Sequence, residues 1–224
     1  MNQKSIIFIS ILLAFVAGFS DATTFLAAGE LFSAHVTGNF ILFAYDAVKG
    51  ANASAWTKLV SFPVFIIAVI IAGRIVQRTS NVYLLLFIEG IILLMASLIA
   101  LLLKETNNTT LWLTNMVAMM IVFALALQNA FGRIYSKATL GPTTVMTGNV
   151  TQAVLDMGHL LFLKPIIPEK KKNFSNQVMI ITCFLTGCLL GAYLSQKFGL
   201  CAVAVPGVMM VWYFYYKPGQ IVVL

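Results

Sequence analysis

The chain has 224 residues, of which 60% are hydrophobic and only 9% charged, against roughly 25% charged in soluble domains. A soluble fold cannot hide that much apolar surface, so lipid is expected to be the solvent for much of it. The formal charge of +7 includes one basic run, Lys170, Lys171 and Lys172, expected in a loop between apolar segments. Without a basic-aromatic surface it excludes nucleic acid as a partner and reads as a topology signal or a contact with anionic lipid head groups.

In chain order, the first segment imitates a secretory signal: Lys4 precedes an apolar run from Ile6 to Ala17. The rest of the chain is equally apolar, so an uncleaved first membrane helix is the expectation. Six stretches reach the roughly 20 apolar residues that a crossing needs: 5–27, 59–76, 82–103, 111–132, 177–196 and 198–216. Trp112, Trp212, Tyr213, Tyr215 and Tyr216 fall near predicted ends, where amphipathic rings favour the interface. Gly187 and Gly191 form a small-xxx-small pair suited to close helix crossing.

Two further stretches, 31–48 and 139–163, are apolar but each carries a Thr-Gly-Asn triplet and ionisable residues. They either span fully, giving eight helices, or are broken elements ending near mid-membrane. Irregular backbone at depth is tolerated only where protein or a water-filled cavity surrounds it. With the N-terminus inside, six spans put ten basic residues inside against four outside, and eight spans put nine against five. The excess of inner lysine and arginine slightly favours six. The expected fold class is therefore an all-α integral membrane protein, a single membrane domain over 1–224, with six transmembrane helices plus two short helices.

The strongest signal is self-similarity. Residues 36–46 and 146–156 both contain Thr-Gly-Asn followed, after six residues, by Asp: Thr37-Gly38-Asn39 with Asp46, and Thr147-Gly148-Asn149 with Asp156. Upstream, Asp21-Ala22 answers Asn129-Ala130; downstream, Gly73 answers Gly191. The expected halves are 1–108 and 109–224. Three spans plus one broken element per half would invert the second half, the plan of transporters that bind substrate at the repeat interface. The alternative is that the triplets merely allow close crossing, with Asn bonding between helices.

A helix starting near Gly38 or Gly148 would expose free N–H groups that favour anions or polar solutes, and Thr37, Asn39, Thr147 and Asn149 add side-chain donors and acceptors. Asn39 and Asp46, like Asn149 and Asp156, are seven apart, placing each pair on one helical face about 10 Å apart. Asp21, Asp46, Glu89 and Asp156 fall inside apolar segments, where ionisable groups default to a functional reading. Asp21, with neutral Asn129 as counterpart and His35 nearby in sequence, is a candidate for ion or proton coupling; a structural hydrogen bond is the alternative. Glu89 is expected to pair with Arg74 or Arg133. His159 receives no role. Cys183, Cys188 and Cys201 sit in apolar stretches without metal-ligand partners and read as packing residues. No catalytic motif, cofactor site or metal site stands out. Asn107 and Asn108 form acceptor-like sequons that carry little weight.

The strings Gly18-Phe19-Ser20-Asp21-Ala22, His35-Val36-Thr37-Gly38-Asn39, Gln128-Asn129-Ala130, Arg133 and Thr143-Thr144-Val145-Met146-Thr147-Gly148-Asn149 resemble the YoaK-type family of multi-pass bacterial membrane proteins. The resemblance covers essentially the whole chain. It implies six spans and a bacterial inner (plasma) membrane location, and no agreed substrate.

The leading expectation is a secondary transporter or channel for a small polar or anionic solute. The two triplets would form its central site, and Asp21, His35, Asp46, Asp156 and Asn129 would serve proton or ion coupling. A homodimer in the lipid bilayer suits a unit of this size. An intramembrane enzyme acting on a lipid-borne substrate through Asp21, His35 and one further carboxylate, and a non-transporting accessory or scaffold protein, are the alternatives.

Overall fold

The computed structural model describes residues 3–50, 53–106, 110–163 and 167–216. Asn107 and Asn108, read above as sequons, Lys164 and Lys217, two of the basic residues in the topology count, and the side chain of Tyr216 lie outside the described part. Within it the chain forms eight α-helices: α1 Gln3–Ala27, α2 Gly38–Val48, α3 Ala53–Arg78, α4 Leu84–Glu105, α5 Leu111–Ile134, α6 Thr147–Phe162, α7 Pro168–Phe198 and α8 Ala204–Tyr216.

Five helical stretches are long and apolar enough to cross a membrane: Gln3–Ala27, Ala55–Arg78, Leu84–Glu105, Leu111–Ile134 and Pro168–Tyr215. The last is broken into α7 and α8 by the tight turn Gly199–Val203. Gly199 opens that turn at φ 60°, where a Cβ would be strained. At 11 and 16 residues, α2 and α6 rise about 16 and 24 Å, short of the roughly 30 Å hydrocarbon core. Each follows an irregular segment, 28–37 or 139–146. The triplets thus open short helices rather than lying inside full spans.

Two expectations need correction. The lysine run is helical, not in a loop: Pro168 in the first turn and Glu169 beside it start α7 nine residues before the apolar stretch does. Pro suits a position whose N–H is unpaired anyway, and an acidic first turn complements the helix dipole. Tyr213 is buried rather than interfacial, stacked on Phe8 at 4.9 Å, whereas Trp112, Trp212 and Tyr215 are exposed as expected.

The centre of the bundle is α1 and α5. Their middles are enclosed on every side, Val16–Asp21 and Ala124–Gln128 being continuously buried, as a helix without a lipid face must be. α7 lies against α1 with backbones in direct contact. A Cβ at Gly187 would fall 2.3 Å from the Phe15 carbonyl oxygen, and one at Gly191 2.4 Å from that of Phe19. Ser195 Oγ closes the crossing by donating to the Thr23 carbonyl at 3.3 Å. α4 meets α8 through Gly90 and Gly207, each within 3.0 Å of the facing helix on the same test. α5 meets α3, where Asn115 Nδ2 donates to Thr57 Oγ1 at 2.8 Å. α2 and α6 lie on α3 and α7 respectively. Val60, Ile67 and Ile70 of α3 and Leu185 and Leu189 of α7 project outward; these are the faces that meet lipid.

Candidate functional site

The irregular segments are where backbone polar groups must be satisfied without a helix, and buried side chains do this. The first leaves α1 through Gly29 and Glu30, both at positive φ, and turns back beside it. Asp21 Oδ1 accepts the Ala34 N–H at 2.5 Å and the Ser33 hydroxyl at 3.2 Å. From the other side Asn39 grips Phe32 twice: its Oδ1 accepts the Phe32 N–H and its Nδ2 donates to the Phe32 carbonyl, both at 2.8 Å. Nδ2 also donates to Ser61 Oγ of α3 at 2.9 Å.

The second segment is held by related means. Asn149 Nδ2 donates to the Pro142 carbonyl at 2.7 Å; like Phe32, Pro142 lies seven residues before its asparagine. Gln128 Nε2 of α5 donates to Thr143 Oγ1 at 3.1 Å and to the Leu13 carbonyl of α1 at 2.9 Å. Asn129 Oδ1 accepts from Thr144 Oγ1 at 2.7 Å. The Leu140 N–H donates to Ser10 Oγ at 2.9 Å. The first segment therefore meets α1 near its C-terminal end and the second nearer its N-terminal end, and Asn129 joins them, its Nδ2 donating to the Ala34 carbonyl at 3.4 Å.

Around that junction lies a cavity of about 100 Å³ lined by Ala34, His35, Val36 and Thr37 of the first segment, Phe62 and Phe65 of α3, Asn129 and Val145. It has room for a few water molecules or a small ion. His35 is exposed, its ring 5.9 Å from Phe32, and the Asp21 carboxylate bonds to the segment, not to that ring. Gly38 follows Thr37 at the cavity's edge. The first N–H groups of α2 are already used: Gly38, Asn39 and Phe40 donate to His35, Val36 and Thr37 carbonyls at 2.9, 3.1 and 3.3 Å. Thr147 and Gly148 begin α6 exposed, with Asn149 buried behind them.

The Asn–Asp stripes exist, but they face the next long helix. Asp46 accepts from buried Lys58 of α3 at 2.6 Å, with Glu30 3.8 Å from the same ammonium. Fully buried Asp156 accepts from Lys170 of α7 at 2.9 Å. Sequence reasoning missed both lysines. Lys58 stands in the second turn of its long helix and Lys170 in the first turn of its own, each just after a triplet helix, and that placement was the available signal. Glu89 corrects another expectation: Arg74 and Arg133 are exposed, and neither Glu89 oxygen has a hydrogen-bond partner among the described residues. Both arginine side chains stay on the outside of the bundle, whereas Glu89 lies on the buried face of α4. The three cysteines are free and half-buried.

Long apolar helices, lipid-facing flanks and irregular segments sealed by buried polar side chains define a multi-pass α-helical membrane protein. Residues 9–216 match the family described as "Protein of unknown function (DUF1275)", and the chain belongs to it. It is also 22% identical, over 203 residues covering 89% of this chain and 88% of the relative, to "UPF0700 transmembrane protein YoaK" of Bacillus subtilis (strain 168). No solved structure matches.

Proposed function

We propose that the chain is a secondary transporter or channel of the bacterial plasma membrane, moving a small polar or anionic solute between two inverted halves, 1–108 and 109–224. The observation that carries this reading is the small cavity where residues of both irregular segments converge, with His35, Thr37 and Asn129 as its polar lining. The inverted relation is supported by the two segments reaching α1 toward opposite ends, at Ala34–Asp21 and at Leu140–Ser10. The crossed contacts support it too, each half's first helix lying on the other's third, α1 on α7 and α5 on α3. Irregular backbone around a midplane site is the architecture in which transporters bind polar cargo. Thr37, Gly38 and Asn129 would meet the solute, with Thr147 and Gly148 on the opposite approach. Asn39, Asn149 and Asp21 would hold the segments in place, and Asp46 and Asp156 would dock the short helices.

Cysteines placed at 35, 37, 129 and 145, in a background lacking the three native ones, test this together with solute flux in proteoliposomes. Labelling by water-soluble thiol reagents at 35 and 37 from one face and 145 from the other, with measurable flux, is the expected result. No labelling and no flux would favour a scaffold, a reading supported by the fully engaged amide of Asn39. An enzyme would need Asp21 to engage the His35 ring.

A further inference from the structure

Glu89 stands in the second turn of α4 with 0% of its surface exposed, and neither of its oxygens meets a donor among the described residues. α4 shows lipid the side carrying Ile91, Met95 and Leu98. At about 100° per residue, Glu89 lies on the opposite side with Leu85, Leu93 and Ala96, all buried. Gly90, its neighbour, is pressed against Met210 and Val211 of α8, with a contact of 2.8 Å from the position a Cβ would take.

Among the described residues, no charged group on the elements around α4 pairs with Glu89. α3 carries Lys58, Arg74 and Arg78, α5 carries Arg133, the turn before α8 carries Cys201, and α8 carries Tyr213 and Tyr215. Lys58 is committed to Asp46 and Glu30, and none of the others donates to Glu89. A carboxylate left in apolar surroundings without a donor takes up a proton rather than stay charged. Asp21 differs in having donors: it receives the Ala34 N–H and the Ser33 O–H.

We propose that Glu89 is an intramembrane proton-binding site, protonated while α4, α5 and α8 are closed around it and deprotonated when that contact opens to water. On opening, the acid O–H bond breaks, the proton passes to a water molecule and a solvated carboxylate remains; closing reverses the step. Resting on the transport reading for its consequence, this assigns the coupling proton to Glu89, with Asp21 as a positioning residue. A residue kept only to fill space would be served as well by Gln or Leu, neither of which titrates.

Infrared spectroscopy of the full chain in phosphatidylcholine–phosphatidylglycerol nanodiscs tests the site. The expected result is a protonated-carboxyl carbonyl band at neutral pH that is lost in E89Q, shifted in E89D and retained in D21N. The same band in E89Q, or a wild-type spectrum without it, overturns the inference. E89D guards against a folding failure of E89Q. In proteoliposomes, solute-driven proton movement is expected to fall at least tenfold in E89Q and to persist in D21N. Flux that stays proton-coupled in E89Q overturns the coupling role and leaves the transport reading standing. A protonated Glu89 in a chain that moves none of a panel of small polar solutes and ions overturns the transport reading and leaves the site standing.

Discussion

Asp21 and Asn129 hold the two ends of a single residue: Asp21 accepts the N–H of Ala34 at 2.5 Å while Asn129 donates to its carbonyl at 3.4 Å. One lies on α1 and the other on α5, so the first irregular segment is pinned between the two central helices. Because Asn129 also accepts from Thr144 at 2.7 Å, it ties both segments together with one amide.

Removing that amide should loosen both segments at once. Asn129→Leu is expected to lower unfolding free energy by about 1–3 kcal/mol, since it leaves the Thr144 hydroxyl and the Ala34 carbonyl short of a partner. Asp21→Asn keeps an acceptor for the Ala34 N–H and should cost less. Unfolding titrations in mixed micelles measure both. A larger loss in Asp21→Asn than in Asn129→Leu would mean that charge, not the bridging amide, holds the junction.

The two triplet asparagines are not equal, and the cause is a proline. Asn39 both donates to and accepts from Phe32, whereas Asn149 faces Pro142, which has no N–H to offer, and keeps only the carbonyl bond on that residue. Asn39→Leu is therefore expected to lower the melting temperature more than Asn149→Leu, by the equivalent of about 1 kcal/mol per additional bond lost. Thermal melts of purified protein decide it; equal shifts would remove the argument from Pro142.

Much of this arrangement was legible in the sequence because lipid makes local composition decisive. The long apolar helices, the Gly187–Gly191 crossing and the short helices at the triplets each follow from length or spacing along one segment. What was not legible depends on how segments meet. The asparagine amides reach back seven residues to a loop whose course no periodicity describes. Lys58 and Lys170 read as interfacial charges until the short helices bring Asp46 and Asp156 to them. Glu89 was expected to find an arginine, since a lone buried acid is costly; only the arrangement of α4 against α5 and α8 leaves it alone.

Close crossing makes the glycines of α7 intolerant in a way that Gly73 of α3 is not. Gly187→Val should destabilise by about 3 kcal/mol or more, because its Cβ would overlap the Phe15 carbonyl and backbone cannot shift cheaply. Gly73, proposed as the counterpart of Gly191, has nothing within 4 Å of a Cβ position. Gly73→Ala should be neutral or stabilising by up to about 1 kcal/mol from helix propensity alone. The pair separates a crossing role from a shared glycine preference. A destabilised Gly73→Ala would point to a contact outside the described chain, such as a second copy.

The two ion pairs should respond unequally to removal of their acid. Lys58 is nearly enclosed, its side chain 3% exposed, while Lys170 is 39% exposed and its partner Asp156 fully buried. Asp156→Leu leaves an ammonium that can swing into water, so the expected cost is about 1 kcal/mol or less. Lys170→Met strands a buried carboxylate, and about 3 kcal/mol is expected. In the other pair, Asp46→Leu strands the buried ammonium of Lys58 with only Glu30, 3.8 Å away and largely exposed, as counter-charge, so removing the acid is expected to cost about 3 kcal/mol. The double variant Lys58→Met with Asp46→Leu should recover most of that loss, since an apolar pair of similar volume avoids desolvating either charge. Double-mutant cycles on unfolding free energy give the coupling directly. Strict additivity in both pairs would show that α2 and α6 are held to α3 and α7 by apolar contact, and that the lysines contribute nothing to docking them.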